Sequence, residues 1–331
     1  MVQVYLLDED ATLIPYTLGI EEGLDLNQRV AEVLRLMTIG NEPVQGVRGL
    51  LPNNAQLENC TLQGSQLSLY FPENFRNYDP KTEMRLLEGL TWAVTQFDEV
   101  SEVLLYLAGE PLTHMPQLST PVPLPLNRQI GINNFENTVN RLHDSHSLTV
   151  FYTRQKNGSS VYVPKTLRIS NQTSLQDKLS SILSDISVFS QLKQPLAETP
   201  LTVLDCALDE GLLTINVSGE ILDEEKKVNE ELVTSLLLSI QSSLGVSQVQ
   251  LQVKEGGKSD IISTGGKMKI VVVSDNHGRT EPLEQILELH RDADVFIHCG
   301  DSELPPQFLQ GYVCVRGNND FYYEYPEMKI L

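Results

Sequence analysis

Gly89-Leu-Thr-Trp-Ala-Val-Thr-Gln-Phe-Asp-Glu-Val-Ser-Glu-Val-Leu-Leu-Tyr-Leu107 decides how most of this chain folds. Leu87, Leu90, Val94 and Phe97 fall three or four apart, so they share one face of an amphipathic helix. A tight turn follows. Val103, Leu105 and Leu107 then alternate with Leu104 and Tyr106, the period of a strand. The same unit returns after a constant shift of 146 residues, with Val233, Leu236 and Ile240, then Val249, Leu251 and Val253, in the same places. Working outward, Val2, Val4 and Tyr5 map to Leu148, Val150 and Phe151. Val33, Leu36 and Met37 map to Leu179, Ile182 and Leu183, and Cys60 maps to Cys206. Leu67, Leu69 and Phe71 map to Leu213, Ile215 and Val217. Unrelated segments would drift out of step at their loops. Residues 1–257 therefore read as two copies of one domain, and two copies are too few for a solenoid.

Each copy is expected to run β-β-α-β-β-α-β, an α+β unit with its helices on one face of its sheet. Copy one spans residues 1–112. Its strands are expected at 2–7, 12–17, 55–62, 66–71 and 102–107, with a helix over 26–37 capped by Asp25. Asp79-Pro80 marks the start of the second helix. Copy two spans 147–257, with strands at 148–153, 161–169, 201–208, 212–217 and 248–253 and helices at 174–184 and 226–244. Residues 113–146 read as a Pro-rich linker, and 258–267 as a Gly-rich one. His143 and His146 are read as part of the first linker rather than as metal ligands.

The chain has 331 residues, 24 Lys and Arg against 44 Asp and Glu, and a formal net charge of −20. Such a surface repels phosphate backbones, so no nucleic-acid groove is expected. No apolar run reaches the roughly 18 residues of a membrane span. No signal peptide is visible, which by itself points to the cytoplasm. The four Cys show no pairing pattern, and Cys60 and Cys206 read as small buried hydrophobes.

Val4-Tyr-Leu-Leu-Asp-Glu-Asp10, Leu51-Pro-Asn-Asn-Ala-Gln-Leu57, Thr95-Gln-Phe97 before Val100, and Ile130-Gly-Ile-Asn133 resemble the GerM family of sporulation and germination proteins. The resemblance spans residues 1–257. It implies a non-enzymatic module that binds protein partners in spore-envelope or channel assembly. It also implies an extracytoplasmic, membrane-associated place, reached through an anchor upstream of this sequence.

A different pattern begins at Met268. Ile270-Val-Val-Val is a continuously apolar strand that leads into Asp275-x-His277. Val295-Phe-Ile-His-Cys-Gly-Asp301 and Tyr312-Val-Cys-Val-Arg-Gly-Asn-Asn-Asp320 follow the same plan. Each polar cluster closes a strand at its carboxyl end, where α/β sheets place ligands. Asp-x-His, Gly-Asp and Gly-Asn-x-Asp in this order resemble the calcineurin-like metallophosphoesterases, in the YfcE-like phosphodiesterase branch. The resemblance implies a partial α/β sandwich over 268–331 and a divalent metal pair of Mn, Fe or Zn. It makes Asp275 and His277 ligands of one metal, Asp301 the bridge and Asn318 a ligand of the other, acting on a phosphodiester substrate by two-metal hydrolysis.

The family also needs three further His, and Phe321–Leu331 holds none. As it stands, the segment is expected to be metal-poor and inactive. Met268 after a Gly-rich stretch also fits a native start, so a joining of two neighbouring genes is one reading of the chain. An assembly module carrying an incomplete phosphoesterase segment is the leading expectation. A metal-dependent phosphodiesterase fused to GerM-like domains is the alternative.

Overall fold

The computed structural model describes residues 1–134, 145–156, 159–184, 192–193, 201–209, 211–218, 230–246, 248–255, 258–265, 270–290, 295–317, 320 and 325. They form two units, Met1–Ser263 and Thr264–Leu331.

In copy one, β1 (Val2–Leu7) and β2 (Leu13–Leu18) make an antiparallel pair. Helix α1 (Leu26–Leu36) starts in a capping box: Gln28 N donates to Asp25 Oδ1 at 2.9 Å and Asp25 N to Gln28 Oε1 at 3.0 Å. β3 (Asn59–Gln63) and β4 (Gln66–Phe71) are antiparallel, joined by a turn in which Gly64 takes φ +61°. Helix α2 (Glu83–Val94) then crosses over, so that β5 (Glu102–Leu107) lies parallel to β4. β6 (Glu110–Pro111) closes the sheet, whose order is β3-β4-β5-β6.

Copy two repeats this plan. β7 (Ser145–Lys156) and β8 (Ser159–Ser170) pair, and α3 (Leu175–Ser184) follows. β9 (Thr202–Asp209), β10 (Leu212–Ser218), α4 (Glu230–Leu244), β11 (Gln248–Glu255) and β12 (Lys258–Gly265) complete it, in sheet order β12-β11-β10-β9. Equivalent residues pair alike: Leu69 with Cys60 and Leu105, Ile215 with Cys206 and Leu251. An isolated bridge recurs one residue out of step, Leu7 with Arg48 and Thr153 with Lys193. The α+β class and the repeat are as expected.

Several details differ from the sequence reading. Each copy carries one strand more than expected, because β6 and β12 add to the sheet edge. Residues 258–265 thus form a strand on β11 where a Gly-rich linker was expected. Glycine lowers strand propensity, but an adjacent strand edge supplies the missing hydrogen bonds. Residues 113–134 are not a free linker either. Val103 and Leu126 exchange both backbone bonds, at 2.8 and 2.9 Å, and Met115, Val122, Leu126 and Ile132 are buried. Beyond its first turn, from Leu86 to Val94, helix α2 is enclosed on all sides, with Glu88, Gly89, Thr91, Trp92 and Ala93 buried beside the expected apolar face. Periodicity marks the most apolar face of a helix and does not show whether the others are covered. Cys60 is buried, whereas Cys206 is half-buried. His146 is exposed on β7, and His143 lies outside the described residues.

Glu83 fastens the connecting segment to α2. Its carboxylate accepts from Tyr78 OH at 2.5 Å, Leu118 N at 2.9 Å, Gln117 N at 3.2 Å and Thr120 N at 3.3 Å. Burial opposes its ionisation. The Thr120 and Tyr78 hydroxyls and the Leu118 and Thr120 amides outweigh burial and hold the carboxyl below its ordinary value of 4.5. A depressed carboxyl stabilises the fold above its unfolded value, and that stability is lost as pH falls through the folded value. The stability gap between the wild type and Glu83→Gln is therefore expected to be full at pH 7 and to shrink below about pH 4. Urea unfolding at both pH values measures it.

In copy two a row of serines on α4 takes the place of a strand along the second edge of β7. Thr149 N donates to Ser243 Oγ and Phe151 N to Ser239 Oγ, both at 2.8 Å. In return Ser243 Oγ donates to Thr149 O at 2.9 Å and Ser235 Oγ to Phe151 O. Ser239→Ala would leave the Phe151 amide without its acceptor. A loss of about 1–3 kcal/mol is expected, read from the urea midpoint.

The two copies meet through polar joints. Asn133 is fully buried, at φ +50°. Its Oδ1 accepts from Leu13 N, and its Nδ2 donates to Leu13 O in copy one and Pro164 O in copy two, all at 2.8 Å. Its own amide donates to Glu88 Oε2 at 3.1 Å, and Glu88 is in turn paired with Arg85. Gly131 allows the close approach, since a Cβ there would lie 3.0 Å from the Thr166 side chain. On the other side, Arg154 of β7, 6% exposed, reaches Asp8 at 3.1 Å and Asp10 at 3.0 Å.

Candidate functional site

The second unit is a three-stranded parallel sheet with one helix. β13 (Ile270–Val273), β14 (Val295–His298) and β15 (Val313–Cys314) lie in that order, and α5 (Glu281–Leu289) links the first two. Leu283 of α5 packs with Leu304, Leu309, Val273 and Tyr312. The carboxyl ends of the strands bring the expected polar loops to one end of the sheet. Asp275 N donates to Gly300 O at 3.2 Å, His277 N to Asp301 O at 3.3 Å and Gly278 N to Ser302 O at 2.8 Å.

The loops are held in costly backbone. Asp275, His277, Asp301 and Glu303 all have left-handed φ, between +44° and +57°. Non-Gly residues there cost of order 1 kcal/mol or more, and such strain gathers at functional sites. Asp320 holds the turn from within. It is 1% exposed and accepts from Asp301 N and Glu303 N at 2.8 Å, Gly317 N at 2.9 Å and Ser302 Oγ at 3.2 Å. Burial works against its charge, but the amides of Gly317, Glu303 and Asp301 and the Ser302 hydroxyl prevail and keep the carboxyl below its ordinary range. Gly317 leaves the room this requires. A Cβ there would sit 2.2 Å from both Asp301 N and Asp301 Oδ1. Gly317→Ala is expected to cost about 1–3 kcal/mol, with faster amide exchange over residues 295–317 in mass-spectrometric measurements.

Three of the four expected ligands are therefore placed, and Asn318 lies outside the described residues. Asp275 and His277 are exposed, and Asp301 is buried. His277 Nε2 stands 3.9 Å from Asp275 Oδ1, and its Nδ1 is 2.8 Å from Glu303 Oε1. The Glu303 hydrogen bond, with the charges of Glu303, Asp275 and Asp301, raises the imidazole pKa. Behind it, His298 is fully buried, and burial lowers its pKa. Gly300 N donates to its Nδ1 at 3.2 Å, so Nε2 carries the proton toward Asn276 Oδ1 at 2.8 Å.

Carboxylate and imidazole suit Mn, Fe or Zn by type. Among the described residues, however, no three His, Cys, Asp or Glu side chains gather closely enough to hold an ion. His277 is engaged with Glu303 instead. The described donors do not fit a two-metal centre as they stand. Glu303, Asn276 and the anchoring role of Asp320 were missed in the sequence. The one signal for Asp320 was its place at the end of the quoted Gly-Asn-x-Asp turn.

Residues 3–113 match a family model described as sporulation and spore germination, and residues 268–331 match one described as the calcineurin-like phosphoesterase superfamily domain. The tandem GerMN domains of the sporulation protein GerM from Bacillus subtilis superpose over 81% of this chain and 99% of theirs, with a TM-score of 0.69 at 24% identity. The chain carries a GerM-like tandem. The spore germination protein GerM of Bacillus subtilis is 27% identical to this chain over 280 residues, covering 81% of this chain and 74% of that protein. The other part is a metallophosphoesterase-like segment. It is 39% identical over 67 residues to the probable metallophosphoesterase YsnB of Bacillus subtilis, and the chain spans 40% of that relative's length. No helix among the described residues is long and apolar enough to cross a membrane.

Proposed function

We propose that the GerM-like tandem is a non-enzymatic assembly module that binds protein partners of the spore envelope or its channel, outside the membrane. The observation that supports this is the joint between the copies. Asn133 and Arg154 bury polar contacts that fix two like sheets in one unit, so the pair offers repeated surfaces at a set spacing. A fixed spacing lowers the ordering cost of binding a multipart partner. Photo-crosslinking residues placed one at a time at exposed Gln63, Asp98, Asp205 and Asp209 test this in the native cell. Adducts with envelope proteins are expected, and none at any position would overturn the reading.

A second reading rests on the strand-end placement of Asp275, His277 and Asp301 alone. It makes the chain a divalent-metal phosphodiesterase. Full-length protein with added Mn²⁺ would then hydrolyse bis(p-nitrophenyl) phosphate and lose that activity in Asp301→Ala. The assembly reading expects no turnover above buffer, and no change in melting temperature on adding a chelator.

A further inference from the structure

The two equivalent edge strands of the GerM-like tandem differ in length and chemistry. β3 has five residues and β9 has eight. At matching positions β3 carries Asn59 and Gln63, where β9 carries Asp205 and Asp209. β9 pairs with β10 on one side, and among the described residues its other side has no strand. Natural edges are usually shortened or guarded by Lys or Pro. Thr202-Val-Leu-Asp-Cys-Ala-Leu-Asp209 contains neither.

The register sorts its side chains. Cys206 and Leu208 pair with Ile215 and Leu213, which are buried, so they line the inner face. Yet Leu208 is 53% exposed. Leu204, at a register shift between Asn216 and Val217, is 46% exposed. Asp205, Ala207 and Asp209 pair with Asn216, Thr214 and Leu212 on the outer face, and both Asp are exposed. The edge thus carries Leu208 on one face and Asp205 and Asp209 on the other, and two of its backbone groups are already met within the chain, Cys206 N by Asp205 Oδ1 at 2.9 Å and Val203 O by Gln176 Nε2 at 3.5 Å.

We infer that the free edge of β9 docks an extended segment of a protein partner, added as a further strand, in which apolar residues alternate with Lys or Arg. This rests on the assembly reading and names its surface and the chemistry of its partner. Strand addition gains main-chain hydrogen bonds, while alternate side chains give selectivity. Here the apolar set covers Leu208, and the basic set meets Asp205 and Asp209. A second copy of β9 fits poorly, because an antiparallel self-pair sets Asp205 and Asp209 against like charges.

The test titrates the full chain by calorimetry with a capped peptide of four Val-Lys repeats. Its Val-Glu counterpart and two versions N-methylated on alternate residues are the controls. The basic peptide is expected to bind about tenfold or more tightly than the acidic one. Asp205→Asn with Asp209→Asn is expected to weaken it about fivefold at unchanged melting temperature. One N-methylated version should lose binding and the other keep it, since only alternate amides face a neighbouring strand. Binding of both versions as tight as the parent would mean charge attraction alone, and would overturn the inference. Absence of binding by any peptide would overturn it too, as would a dimer in ultracentrifugation that Leu208→Lys dissociates. In-cell adducts at Gln63 or Asp98 but none at Asp205 or Asp209 would remove this inference and leave the assembly reading standing.

Discussion

Asn133→Ala is expected to destabilise the GerM-like tandem by about 3–5 kcal/mol, near the top of the range for single substitutions. The side chain supplies three hydrogen bonds of 2.8 Å to backbone groups of Leu13 and Pro164, in a place no solvent reaches. Alanine offers nothing in return. Each buried backbone group left without a partner costs about 1–3 kcal/mol, though not additively. The residue also sits at φ +50°, a region that Asn tolerates better than Ala. Asn133→Asp separates the two causes. It keeps the backbone preference and an acceptor for Leu13 N, but it loses both donated bonds and brings a charge beside Glu88. Urea unfolding followed by Trp92 fluorescence reads copy one, and amide exchange reads copy two. The wild type is expected to unfold with both probes together. In Asn133→Ala the probes are expected to separate, because the joint ties the copies into one cooperative unit. Coincident transitions with a loss under about 1 kcal/mol would show that other contacts carry the joint.

The second large effect is expected at Arg154. Arg154→Ala is expected to cost about 3–5 kcal/mol, because it takes the guanidinium from a buried Asp8. The attraction between charges out of water offsets their desolvation only while both are present. Replacing both is therefore expected to be milder than replacing one. Arg154→Met with Asp8→Asn should recover much of the loss in a double-mutant cycle. Raised salt should change the wild type little, since the pair is shielded from counterions. If the double replacement is as unstable as Arg154→Ala, the packing of the arginine stem rather than the ion pair sets the cost.

These two residues also show where the sequence stopped being legible. The repeat could be read because it is written in local spacing. Val103, Leu105 and their partners at Val249 and Leu251 alternate whatever lies around them, and the shift is constant because each copy needs the same inner face. Asn133 and Arg154 reach Leu13, Asp8 and Asp10 across more than a hundred residues, on backbone and carboxylates that carry no local mark. Residues 258–265 misled for a related reason. The glycines at both ends, Gly256, Gly257, Gly265 and Gly266, report how freely a segment bends when alone, and β11 supplies the edge that pairs with it. In the second unit the same division holds. Asp275, His277 and Asp301 stand where apolar runs stop, which a sequence displays. That Glu303 would reach His277, and that Asp320 would hold the turn, depends on left-handed backbone that composition does not announce.

The serines of α4 give β7 two edges with different lifetimes. Toward β8, the bonds join backbone to backbone and open only when strands part. Toward α4, the Thr149 and Phe151 amides are held by single hydroxyls, and one rotamer jump releases each. Alternate amides along one strand would then exchange with solvent on separate clocks. Under mild denaturant the amides that face α4 would then exchange before those that face β8.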